Sequence, residues 1–101
     1  LPNQKEKVKI MKLITKSNPV WQRIIADNKD WFSRGTLKFF GSTIFWASLK
    51  ETPAGYVFIT SERNYGHTGE VFSVRLVSKT GIETIGEYGQ YETLREALRA
   101  I

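Results

Sequence analysis

One histidine, no cysteine and ten scattered carboxylates limit the chemistry open to this chain. A structural or catalytic zinc site draws three or four ligands from His, Cys and carboxylates, and His67 is the sole imidazole available. The lack of cysteine removes thiolate nucleophiles and disulfides together. Ser61, Glu62 and His67 lie close in sequence and include the residue types of a nucleophile, an acid and a base. A triad is defined by geometry, however, and a polar hairpin loop accounts for the same three residues. Glu83 and Glu87 read as solvated strand charges rather than a paired acid and base. Gly66 and Gly69 fall between two strands, not ahead of a helix, so they do not make a phosphate-cradling loop. Neither enzymatic activity, a metal nor a cofactor is expected.

Recognition chemistry is better represented. Arg63 to Glu70 gathers Arg63, Asn64, Tyr65, His67 and Thr68, which offer donors, an aromatic face and a titratable ring on one hairpin loop. Trp46 sits on a strand pattern where an indole can stack on a base or pack in the core. Lys50 and Arg75 lie on strand patterns too. The expected ligand-binding set is therefore Trp46, Lys50, Arg63, Tyr65, His67 and Arg75.

The net charge of +5 is unevenly placed. Residues 1–16 carry Lys5, Lys7, Lys9, Lys12 and Lys16 against Glu6, whereas residues 17–101 carry ten basic and nine acidic side chains. The first segment is read as a basic tail or edge strand, able to attract phosphate or simply to be solvated. Met11 is a candidate start within it. Residues 17–101 are read as one domain, because 41% hydrophobic and 13% aromatic residues suffice for a single core. No apolar run reaches the length of a membrane span, and the absence of cysteine fits a reducing compartment, so a cytoplasmic location without membrane contact is expected.

The elements that must position these residues follow from periodicity and punctuation. Asn18-Pro19 starts a helix, with Trp21, Ile24 and Ile25 on its apolar side and Gly35 ending the region. Thr36–Phe40 reads as a short strand or an irregular link. Thr43–Glu51 and Tyr56–Glu62 form a hairpin about the turn Thr52-Pro53-Ala54-Gly55. A tight turn places Leu49 opposite Phe58, Ala47 opposite Thr60 and Trp46 opposite Ser61. Val71–Ser78 and Ile82–Tyr88 follow as two further strands. Thr93-Leu94-Arg95-Glu96 has the form of a capping box, and Leu94, Ala97, Leu98 and Ile101 make one stripe of a short helix. The fold class is α+β: an antiparallel meander of three to five strands flanked by an N-terminal helix and a short C-terminal helix. Two short helices cover about one sheet face, so either the sheet curls on its own core or an aromatic face is left for a partner.

Three resemblances bear on function. The helix–strands–helix order is similar to double-stranded RNA-binding domains, which read shape and phosphates. Ile85-Gly86-Glu87-Tyr88 followed by Glu92-Thr93-Leu94-Arg95-Glu96-Ala97 resembles the last-strand-into-helix junction of plant ethylene-response DNA-binding domains. That likeness implies groove contacts from residues such as Trp46, Lys50, Arg63 and Arg75. Phe58-Ile59-Thr60-Ser61-Glu62, Phe72-Ser73-Val74-Arg75 and Ile85-Gly86-Glu87-Tyr88 together resemble short proteins encoded by tailed phages, implying a small accessory role. The resulting expectation is a non-enzymatic module that binds nucleic acid or a nucleotide through an aromatic and basic sheet face and the 63–70 loop. The alternative is a protein–protein module, either a homodimer or an inhibitor of a host protein.

Overall fold

A computed structural model describes residues 14–63 and 70–101. Residues 7–13 of the expected edge strand, and Tyr65 and His67 of the expected loop site, lie outside the described residues.

The first helix, α1 (Pro19–Asp27), begins where the capping chemistry predicts. The Val20 amide donates to Asn18 Oδ1 at 2.8 Å, and Pro19 occupies the first turn, where its missing N–H costs nothing. Trp21 and Ile24 are buried one turn apart. The buried indole N–H of Trp21 donates to the carbonyl of Trp46 at 2.8 Å, which answers its need for an acceptor. An Asn18→Ala variant should lose about 1 kcal/mol. The expected reading is a lower urea midpoint with an unchanged slope.

The next segment corrects the sequence expectation. Gly35 does not end a helix, and Thr36–Phe40 is neither strand nor link: both belong to a second helix, α2 (Arg34–Phe40). Its start is fixed by Ser33, whose Oγ accepts from the Thr36 amide at 3.2 Å, and its end by Gly41 in the left-handed region at φ 64°. Those two caps flank a seven-residue window too short for periodicity to betray.

Four strands follow: β1 (Ser42–Thr52), β2 (Gly55–Glu62), β3 (Val71–Ser78) and β4 (Gly81–Ile85). They pair antiparallel in sequence order as a meander. The last strand is shorter than expected because Gly86, at φ 74°, bends the chain out of the sheet. A short helix, α3 (Leu94–Arg99), is capped by Thr93 Oγ1, which accepts from the Glu96 amide at 3.1 Å. Ala97 of its stripe is buried and Leu94 and Ile101 pack around it, while Leu98 is 46% exposed.

The β1–β2 register matches expectation at the turn and departs from it further along. Lys50, Glu51 and Thr52 lie opposite Val57, Tyr56 and Gly55, but beyond a bulge Phe45, Ile44 and Thr43 lie opposite Ile59, Thr60 and Ser61. Trp46 is therefore not opposite Ser61, nor Ala47 opposite Thr60. Ser48 explains how the bulge is satisfied. Its hydroxyl donates to the Phe45 carbonyl at 2.6 Å and accepts from the Ile59 amide at 2.8 Å, taking the place of a ladder bond.

Both sheet faces are covered. On one, Trp21, Ile24, Ile44, Phe58 and Val77 form a core joined by Trp31, Phe32, Leu37, Trp46 and Leu49. On the other, Val57, Ile59, Phe72, Val74 and Ala97 pack with Phe45, Leu76, Tyr91, Leu94 and Ile101. The helix missed from sequence is part of the reason: Leu37 of α2 adds cover to the first face. Among the described residues no helix is long and apolar enough to cross a membrane.

Candidate functional site

The described members of the expected site, Trp46, Lys50, Arg63 and Arg75, are dispersed by the fold. Arg75, in the middle of β3, is buried. Its Nη2 meets Glu62 Oε1 at 2.8 Å, its Nε donates to Thr60 Oγ1 at 3.1 Å and its Nη1 donates to Thr84 Oγ1 at 2.5 Å. The guanidinium also lies 5.5 Å from the Trp31 ring centroid and 5.4 Å from that of Tyr88. The fully buried Glu62 carboxylate accepts from the Ser42 and Thr60 hydroxyls as well. One guanidinium therefore joins β2, β3 and β4 through side chains that alternate onto a single face. These groups are engaged with one another, not turned towards solvent.

Trp46 is half-buried on that same face, its ring edge-on to Trp21 at 4.8 Å and 86°. Lys16 Nζ lies 5.7 Å above it. Lys50 lies on the opposite face beside Val57, because the bulge between Phe45 and Lys50 reverses the alternation. Its ammonium donates to the Ile101 carbonyl at 2.9 Å. Arg63 is at the far end of the hairpin from Lys50, with a side chain 73% exposed and its Nε 3.7 Å from Glu70 Oε2. Trp46, Lys50, Arg63 and Arg75 thus share no surface.

Another arrangement emerges where the hairpin meets α2. The backbone N–H of Arg63 donates to the Gly41 carbonyl at 3.2 Å, which fixes Arg63 beside the C-terminus of α2. Arg34 and Lys38, four residues apart on α2, stand on one side of that helix. With Phe32, Leu37, Gly41, Ser42 and Thr43 they line a groove of about 690 Å³. A cation in the last turn of a helix, as Lys38 is, also suits the helix dipole.

Charge separates this groove from two others. The groove at the opposite end of the sheet, about 610 Å³, mixes Arg23 and Lys79 with Asp27. A third, along residues 26–31, holds Asp27 and Asp30 with Lys29. Among the described residues, the lining of the α2 groove includes Arg34 and Lys38 and no carboxylate. The sequence explains why: residues 31–50 include three cations and not one acid. Arg34 and Lys38 were missed because the segment was not read as a helix: a strand would hold residues four apart about 13 Å from each other, whereas a helix makes them neighbours. Among the described residues no group of three or more His, Cys, Asp or Glu is placed to hold a metal ion.

Residues 20–101 match the model of a family described as a family of unknown function, DUF7447. The basic segment of residues 1–16 lies outside the matched region. No curated protein and no solved structure matches the chain.

Proposed function

We propose that this chain, which belongs to the DUF7447 family, is a small non-enzymatic binding module that holds the phosphates of a nucleic acid at the α2 end of its sheet. The observation that carries the reading is the groove lined by Arg34 and Lys38, with no carboxylate among its described lining residues and with Arg63, itself paired with Glu70, tethered to its rim at Gly41. Phosphate contacts are made by cations that can shed water and counterions onto a polyanion, and a neighbouring carboxylate works against this. The sheet face is a poorer candidate, because the Arg75 guanidinium already has Glu62, Thr60 and Thr84 as partners. A small accessory protein of a phage, as the sequence resemblance implies, suits such a role.

The test is fluorescence anisotropy of the full chain with labelled mixed-sequence DNA and RNA oligonucleotides across a salt series. An Arg34→Ala/Lys38→Ala variant should bind about tenfold more weakly near 0.1 M salt, and its log K against log salt should flatten by roughly 1.4 for two lost single-strand phosphate contacts. Lys79→Ala, at the other end of the sheet, should bind within about twofold of the parent. If the double variant binds like the parent, the affinity belongs to the lysines of residues 5–16 and the reading is wrong.

A further inference from the structure

Asp27 closes α1, at the end of the helix where the backbone dipole favours a cation, and no basic residue stands in that last turn. Arg23 lies four residues earlier on the same side of the helix, a spacing at which opposite charges readily pair. Among the described residues, however, neither makes an ion pair or a side-chain hydrogen bond, and nor does Lys79 in the turn between β3 and β4. The three charges share one groove of about 610 Å³ with Ile24, Tyr56 and Val77. We propose that this groove binds a short free peptide of about two residues, with its ammonium at Asp27, its carboxylate at Arg23 and Lys79, and an apolar side chain against Ile24 and Val77. The site lies at the opposite end of the sheet from the α2 groove and does not depend on the phosphate-binding reading.

Charge selects an amphoteric ligand. Asp27 opposes a phosphate chain, and Arg23 and Lys79 oppose a polycation, whereas a ligand with one group of each sign suits all three. Spacing sets its length. Arg23 and Asp27 start about one helical turn apart, roughly 6 Å along the axis, and two extended residues span about 7 Å. The floor is apolar and fixed, because Ile24 and Val77 belong to the buried core. The walls are fixed as well. Thr52 Oγ1 donates to the Gly55 carbonyl at 2.9 Å, and the Thr80 amide donates to Ser78 Oγ at 3.3 Å, which brace the two turns that border the groove. The groove is thus shaped before a ligand arrives, and its volume lies within the roughly 300–1,000 Å³ of small-molecule sites. A carboxylate at a helix C-terminus weakens the helix, and a bound ammonium gives Asp27 the cation that its own turn withholds.

The experiment titrates the full chain with the dipeptide leucyl-leucine and reads backbone amide shifts by nitrogen–proton NMR. Shifts should centre on Ile24, Gly55, Tyr56, Val77 and Lys79 and saturate with a Kd on the order of 1 mM. Acetylating the amine or amidating the carboxylate of the dipeptide should each weaken binding by roughly three- to tenfold. Asp27→Asn should weaken the free dipeptide by a similar factor and leave the acetylated one unaffected. Lys79→Ala should do the same for the free and amidated forms. Asp27→Asn should also raise the thermal midpoint by roughly 1–4 °C, which separates its loss of binding from any loss of fold. Arg34→Ala/Lys38→Ala should bind the dipeptide as the parent does, whatever that variant does to nucleic-acid affinity. The proposal is overturned if no groove amide shifts at about 10 mM dipeptide, or if the doubly blocked dipeptide binds as tightly as the free one. It is equally overturned if Asp27→Asn weakens the free and acetylated forms alike.

Discussion

Replacing Arg75 by methionine is expected to lower the unfolding free energy by about 3–5 kcal/mol, a large part of the roughly 5–15 kcal/mol that holds a domain together. The loss comes less from the missing attraction than from what stays behind. Glu62 is fully buried, and without the guanidinium its charge keeps, among the described residues, the Ser42 and Thr60 hydroxyls. Two neutral donors do not replace the water and the cation that a carboxylate needs. Thr84 loses its donor at the same stroke. Arg75→Lys should fall between the parent and the methionine variant, since an ammonium keeps the charge but not the fork of donors or the flat surface over Trp31 and Tyr88. Combining Arg75→Met with Glu62→Leu should cost clearly less than the sum of the two single changes, because no buried charge is then left alone. Urea unfolding of the four proteins gives the cycle. A loss below about 1 kcal/mol for Arg75→Met would show that the pair contributes little.

The second large effect is expected at Gly55. Its φ is 142°, and a Cβ placed there would stand 2.0 Å from the carbonyl oxygen of Val77, an atom of the backbone. Val77 is locked into both β2 and β4, so it cannot withdraw without loosening two ladders. Gly55→Ala should therefore combine backbone strain with overpacking, for a loss of about 3 kcal/mol. In a domain of this size that corresponds to a thermal midpoint lowered by roughly 12–24 °C. Gly86 is the informative comparison. Its φ of 74° is also unfavourable for alanine, but the atom in the way is the side-chain oxygen of Gln90, which can rotate aside. Gly86→Ala should lower the midpoint by less than half as much.

Where the sequence was legible, the signals were local and redundant. Asn18-Pro19 and Thr93-x-x-Glu96 mark helix starts because capping residues are recognisable one at a time. The turn at Thr52–Gly55 and the strand Val71–Ser78 were legible because Pro, Gly and alternating apolar residues agree there. The register beyond the turn was not. Ser48 has the look of a solvent-facing strand residue, and its substitution for a backbone partner depends on the Phe45 carbonyl and the Ile59 amide eleven residues away. The site was less legible still. Arg75 is singled out by its charge, yet its partner Glu62 becomes visible only when the strands are paired. Arg34 and Lys38 carry no motif, and they become neighbours only once Ser33 and Gly41 cap α2.

The kink in β1 has a consequence for how this protein behaves in company. From Ser42 to Leu49 the outermost strand has no charge, proline or glycine, the kind of stretch that invites end-on growth by copies of itself. The kinked segment resists such growth in the folded state. The Trp46 carbonyl is occupied by the indole N–H of Trp21, so one hydrogen-bond acceptor is withdrawn from any incoming strand. Solubility is thereby tied to the docking of α1: a molecule in which Trp21 has let go exposes a sticky margin before it has lost its sheet.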